Sequence, residues 1–225
     1  MSEAQRPRRK RGSISQEEII EAALRLMDGE GEAALTFARL GKELQAAPTA
    51  VYRHFSSRQD LERAIADHLD GLSIAGYEPT DDWRADLAEL AWRAWRTAVA
   101  HPAAAAASLW TVTNGPNELQ AVEWVLRALH VAGLRGEDAV IQYNVYANLV
   151  LGSSSAYAAK LAETRDPSGW MQVYAPKDPS QFPHAESLKA ELAAVDYEVV
   201  FAKELEMYLD ALEALVQRSR ERTEA

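Results

Sequence analysis

Residues 48–61, PTAVYRHFSSRQDL, set a tyrosine, an arginine and a histidine on a short apolar-backed stub, and a second helix signal follows at once. Phenol, guanidinium and imidazole groups on one small exposed face are suited to phosphate oxygens and base edges. Pro48 can begin a helix, because its missing N–H is one that no helix needs there. Ala50, Val51 and Phe55 supply an apolar side; Ser56 and Ser57, with Gln59 and Asp60 three residues on, cap whatever follows. A helix of about seven residues cannot stand alone in water. Its apolar side must be held, Val51 and Phe55 being the anchors, while Thr49, Tyr52, Arg53 and His54 face outward. Spacing alone leaves two readings open: a reading helix, or a plain helical hairpin with surface Tyr and His.

The holding elements lie just upstream. In SISQEEIIEAALRLMDGEG, Ile19, Ala22, Ala23, Leu26 and Met27 recur at the spacing of one buried helical face. Ser15 with Glu18 is a capping box, Ile14 with Ile19 fits the hydrophobic staple, and Gly29 and Gly31 stop the helix. A second helix starts at Thr36, carries Phe37, Leu40 and Leu44, and ends near Gln45. A fourth follows from about Ser57, with Leu61, Ile65, His68 and Leu69 toward one side. The second helix, a short turn and the Pro48 stub therefore form a helix-turn-helix, which puts its second helix in the DNA major groove.

The segment LTFARLGKELQAAPTAVYRHFSSRQDLERAI resembles the N-terminal domain of tetracycline-repressor (TetR)-type regulators over residues 13–70. The resemblance rests on Thr36, the Leu40/Leu44 pair, Pro48–Thr49–Ala50, Tyr52, Phe55, and Arg58 ahead of an acidic residue and Leu61. It implies backbone-phosphate contacts from Thr36, Tyr52 and Arg58, and base-edge contacts from around Arg39, Pro48, Thr49 and Arg53, with His54 beside them. Hydroxyls and helix N-termini suit phosphate oxygens, and arginine can read guanine bidentately. Two positions depart from the family pattern. Gln45 stands where glycine is usual in the turn, and Ala47 where a small hydroxyl residue usually precedes the proline. Glutamine accepts positive φ only at some cost, and alanine cannot cap by side chain.

Charge is unevenly spread. Residues 1–70 hold 11 Lys/Arg and 12 Asp/Glu, whereas 71–225 hold 13 and 22, so most of the net −10 lies in the larger part. Such acidity speaks against a generic polyanion binder. The one basic cluster, RPRRKR at 6–11, heads the smaller part; its Arg8, Arg9, Lys10 and Arg11 form either a solvated arm or a tail that contacts phosphate or the minor groove. The chain has no cysteine, no apolar run near the ~20 residues of a membrane span, and no apolar core in its basic start. A cytoplasmic protein without a membrane partner is expected.

Beyond residue 71 the chain also reads as helix, so the fold class is all-α: an arm at 1–12, a helix-turn-helix domain at 13–70, and a C-terminal bundle at 71–225. After a linker at 72–82, a helix is expected at about 82–100, ended by His101–Pro102. An Ala-rich one leads to Trp110, NGPNE (114–118) breaks and restarts the chain into one that stops at Gly133, and others run from Gly136 to about Ala162 and over 186–221. The 164–185 loop, with four prolines, is longer than a plain connection. The long helix at 136–162 and the last one, at about 195–217 with Leu205 and Leu209, are expected to pair in a homodimer.

No G-x-S-x-G, H-E-x-x-H or phosphate-cradling glycine loop occurs, so no catalytic residue, metal site or cofactor is assigned. Trp95, Trp110, Trp124, Tyr143 and Tyr146 fall on helices that should pack together, either as plain core or partly as the lining of a cavity for an apolar or aromatic effector. Asn144 and Asn148, one turn apart, would be its polar anchors or simply exposed residues. The expected function is a ligand-responsive transcriptional repressor that binds double-stranded operator DNA as a dimer. The alternatives are a DNA-binding regulator without an effector and, further off, an all-α enzyme or carrier.

Overall fold

The computed structural model describes residues 14–163 and 178–224. Arg8, Arg9, Lys10 and Arg11 and most of the 164–185 loop lie outside the described residues. The regular structure of the described residues is helical throughout.

Helix α1 (Gln16–Glu30) opens on the capping box: Ser15 Oγ accepts from the Glu18 amide at 3.1 Å, and the Glu18 carboxylate accepts from the Ser15 amide at 2.9 Å. Gly31, at φ 84°, closes it. A 3-10 turn (Glu32–Ala34) leads to Thr36, which caps α2 (Phe37–Glu43). Gln45 holds φ 53° in the turn, so the left-handed conformation that glycine usually supplies is kept by a residue that carries its steric cost. Glycine is needed one turn earlier instead. A Cβ on Gly41 would lie 2.9 Å from Ala46 O and 3.1 Å from Pro48 N, so the chain entering α3 (Pro48–Tyr52) crosses directly over Gly41. Ala47 makes no side-chain cap, and α3 is held by burial of Val51 and Phe55 against Ile19, Leu40 and Leu61.

Helix α4 (Arg58–Ile74) starts at the Ser57 cap and runs without a break, so the expected domain boundary at 70 and the first residues of the expected linker lie inside it. At 1.5 Å per residue it spans about 25 Å. Its Leu61, Ile65 and Leu69 close the first core. Helix α5 (Trp83–Ala100) is capped by Asp82, and α6 (Pro102–Ser108) follows at His101. Buried Asp86 accepts from Thr80 N and Oγ1, with Arg127 at 3.7 Å, and so pins the segment before α5. Helix α6 packs on α1, α4 and α8, and its Ala103 and Ala104 belong to the first core. His101 Nδ1 lies 2.9 Å from Asp28 Oδ2 of α1. Helices α7 (Pro116–Ala132), α8 (Gly136–Glu163), the short α9 (Pro183–Ser187) and α10 (Lys189–Ala193), and α11 (Tyr197–Glu224) complete the chain.

A second core lies among α5, α7, α8 and α11, around Leu87, Trp95, Leu129, Tyr146, Phe201 and Leu212. Leu205 and Leu209 turn into it. The apolar residues that α8 and α11 leave outside are Val140, Ile141 and Val145 on one helix and Val199 and Met207 on the other. The small residues at 152–156 let α8 approach the alanines of α6, with Ala105 and Ala158 in contact and Ser154 buried. Among the described residues no helix is long and apolar enough to cross a membrane.

Candidate functional site

On the outer face of α3, Pro48, Thr49, Tyr52 and Arg53 are exposed and His54 is half-buried. Tyr52 is 58% exposed, yet its ring stands edge-on to Phe37 of α2 with centroids 4.5 Å apart. The hydroxyl is thus braced toward solvent, and Phe37 is the brace. Thr36 Oγ1 accepts from the Arg39 amide at 3.2 Å, which leaves its own proton to donate outward. Arg53, just past the end of α3, pairs with no carboxylate of the described residues.

The other two arginines differ. Arg39 is bonded to Glu30. Arg58 is bonded to Glu62 at 2.6 Å, Glu32 at 2.8 Å and Leu35 O at 3.2 Å, and the Glu62 bond holds its pKa above the ordinary arginine value. In the free chain both guanidinium groups are therefore neutralised by carboxylates of α1, α4 and the turn between α1 and α2.

A cavity of about 120 Å³ lies between α4, α5, α7 and α8. Ile74, Leu90, Val125, Val150, Tyr143 and Tyr146 supply much of its wall; Asp70 and Glu118 add two carboxyls. Tyr146 donates to Leu87 O at 2.7 Å, so its hydroxyl is occupied. Glu118 Oε2 accepts from Thr113 N at 2.9 Å, Thr113 Oγ1 at 2.8 Å and Asn114 N at 2.6 Å.

Of the residues expected to hold a ligand, Tyr143 and Tyr146 line this cavity and the others lie elsewhere. Trp95 stacks between Tyr157 and Phe201 in the core, at 5.0 and 4.4 Å. Trp124 stands edge-on to Tyr77 at 4.8 Å. Trp110 is 56% exposed and donates to Ser155 Oγ at 3.0 Å. Asn144 and Asn148 are exposed, and Asn144 Nδ2 donates back to Val140 O of its own helix. The physical reason is helical phase: Tyr143, Tyr146, Ala147 and Val150 share the inner side of α8, which turns Asn144 and Asn148 away.

One junction joins the two ends. Asp67 of α4 accepts from the Asn117 and Glu118 amides at 3.1 and 3.0 Å and from Asn117 Nδ2 at 3.0 Å. It thereby caps α7. Residues 19–65 match the family model for bacterial regulatory proteins of the tetR family, and residues 75–216 match the tetracyclin repressor-like C-terminal domain. The chain belongs to the TetR family of transcriptional regulators. Among its relatives, an HTH-type transcriptional repressor of Mycobacterium tuberculosis is 30% identical over 95% of this chain and 86% of its own. An HTH-type transcriptional regulator of Saccharopolyspora erythraea is 32% identical over 64% of this chain, and the match spans 61% of that protein's length. A solved structure of a possible TetR family regulator from Streptomyces coelicolor A3(2) superimposes with a TM-score of 0.77 at 27% identity, covering 89% of this chain and 100% of that one.

In this TetR chain, Asp70 and Glu118 are the cavity groups that sequence reasoning missed. No motif marks them, but Asp70 stands one turn before Ile74 and beside Leu69, both buried, and an acid in that phase was the available signal. Burial, with the Glu118 and Asp67 carboxylates nearby, pushes Asp70 up to about 7. In the unfolded chain it titrates near its ordinary value of about 4. The folded state therefore keeps a proton that the unfolded chain has lost. The stabilisation this gives is full below about pH 4 and is lost as the pH rises through 7. Asp70→Asn is expected to be near neutral at pH 4 and to stabilise the TetR chain by about 2 kcal/mol at pH 8, solvent in the cavity reducing the full effect of the shift. Urea unfolding at the two pH values checks this, and equal effects at both would remove Asp70 as the titrating group.

Proposed function

We propose that the chain is a cytoplasmic, dimeric repressor that reads a paired operator through α3 and is released from it by a small, largely apolar effector held among α4, α5, α7 and α8. The observation that carries this reading is the continuity of α4, which ends near the α3 face on one side and lines the cavity with Asp70, Ser73 and Ile74 on the other. In this reading Thr36 and Tyr52 hold phosphates, Arg58 joins them after leaving its carboxylates, and Arg39, once released by Glu30, turns toward base edges. Pro48, Thr49 and Arg53 meet base edges, with His54 beside them, and Arg8, Arg9, Lys10 and Arg11 add sequence-independent affinity. The repressor named among the relatives supports the direction of control. Tyr143 and Tyr146 line the effector site. The outward apolar residues Val140, Ile141, Val145, Val199 and Met207 support an isologous contact between α8 and α11 of two copies. Sedimentation of a stable monomer at micromolar concentration would remove that contact.

The test is selection of bound fragments from a random DNA pool, followed by titration of variants. A two-fold symmetric consensus is expected. Replacing Arg8, Arg9, Lys10 and Arg11 by Ala should weaken binding to all DNA and flatten the salt dependence by ~0.9 in log–log slope for each lost phosphate contact. Arg53→Ala should instead relax preference at one or two base positions. No enriched sequence at low salt, or identical effects of the two changes on specificity and salt slope, would overturn the assignment.

A further inference from the structure

We infer that the cavity among α4, α5, α7 and α8 selects an organic cation, a protonated amine on a compact apolar body, with Asp70 and Glu118 as its counter-charges. This rests on the effector reading above and names the chemical class of the effector.

The wall is apolar and aromatic except for a few polar groups, and two of those are carboxyls. No lysine, arginine or histidine of the described residues lines it. Asp70 accepts no hydrogen bond on its carboxyl from the described residues, while Glu118 takes its three donors on Oε2 alone. The two come from different helices, α4 and α7, and face one space. A largely buried carboxyl without a protein donor or a cation is disfavoured in either proton state: neutral, it lacks a protein partner, and ionised, it is poorly solvated. A ligand ammonium corrects both, since it supplies donors and opposite charge in a poorly solvated place where such a bond is strong. A neutral ligand of the same shape corrects neither, and an anion adds repulsion. The rings of Tyr143 and Tyr146 favour the same sign of charge.

The groups that face Asp70 are Glu118, Asp67 and the Tyr143 phenol, whose own pKa is raised by burial and by the Glu118 and Asp70 carboxylates. All of them are acidic. Burial keeps the Asp70 proton to about pH 7 in the empty site, and an entering ammonium expels it. Amine binding should therefore release protons and strengthen between about pH 6 and pH 8, where the amine itself stays charged. Asp70 also lies one turn beyond Asp67, the α7 cap, so that a pull on Asp70 acts on the α4–α7 junction itself.

Three probes of nearly equal shape test this on the full chain by calorimetry: phenethylamine, phenethyl alcohol and phenylacetate. The amine should bind about tenfold or more tightly than the alcohol, with phenylacetate weakest. Its affinity should rise severalfold between pH 6 and pH 8, and the alcohol's should not. In Asp70→Asn the preference for amine over alcohol and its pH dependence should both collapse. Alcohol or phenylacetate binding as well as the amine in the unaltered chain overturns the charge assignment and leaves the effector cavity standing. An amine preference that survives Asp70→Asn overturns it as well. No binding of any probe at millimolar concentration overturns the cavity reading together with this one.

Discussion

Phe201→Ala is expected to lower the unfolding free energy by ~3–5 kcal/mol. Phe201 has no solvent exposure. Its ring stacks on Trp95 at 4.4 Å with 14° between planes, and meets Trp92 edge-on at 5.1 Å. Trp95 in turn stacks on Tyr157 of α8, so one ring from α11 completes a set drawn from three helices. Removing it deletes aromatic contacts and leaves a space that backbones fixed by Leu205, Leu209 and Leu212 cannot close. The effect should appear as a lower urea midpoint at unchanged slope, measured at fixed protein concentration because a dimer couples stability to concentration. A loss below about 1 kcal/mol would mean that α11 does not pack its Phe201 ring against Trp95.

Gly115→Ala is expected to cost ~2–4 kcal/mol, by a different route. Gly115 has φ −78°, which alanine adopts freely, so backbone strain is not the cause. The added Cβ would fall 2.1 Å from Asp67 Oδ1 and 2.3 Å from Asp67 Cγ. The carboxylate can swing aside only by leaving the Asn117 and Glu118 amides and Asn117 Nδ2. The cost is then the loss of bonds to a charged group and of a cap on α7. This makes the effect non-additive: Asp67→Ala removes the same bonds and the clash together, so the double variant should be little worse than Asp67→Ala alone. Additive losses in that cycle would separate Gly115 from the junction.

Most helices were legible because their punctuation is local. Ser15, Thr36 and Ser57 cap where the sequence places caps, and Gly31 and Gly133 end the helices before them. The exposed α3 side was legible for a similar reason: a stub of few residues has only two sides, and Val51 and Phe55 claim one. The α4 terminus was not, because Leu72, Ser73 and Ile74 carry no stop and only packing decides that the helix continues. The cavity was only partly legible from residue type. Large aromatics leave core and lining both open; the size of Trp95 and Trp124 fits them to fill space between helices, and the wall falls to Tyr143, Tyr146, smaller apolar residues and two acids. Asn144 and Asn148 stay open between anchor and exposed residue, since α8 carries apolar residues on both its sides and the sequence alone does not say which side is inner. The pairing of Arg39 with Glu30 joins α2 to α1, and that of Arg58 with Glu32 joins α4 to the turn after α1, contacts between elements that periodicity does not register.

Those tethered carboxylates bear on how such a regulator finds its site. A phosphate that approaches Arg58 meets a cation already satisfied by Glu62 and Glu32, and Arg39 is likewise held by Glu30. Arbitrary duplex offers only phosphates, so the exchange of one anion for another returns little. A duplex that also matches the α3 side chains makes up the difference through its bases. Under the proposed operator reading, the carboxylates would thus raise the threshold for lingering on the rest of a chromosome, where competing positions number about 10⁶ or more. Their effect would then be read in time as well as in affinity: shorter stops between encounters, and more of the population unbound and available at any moment.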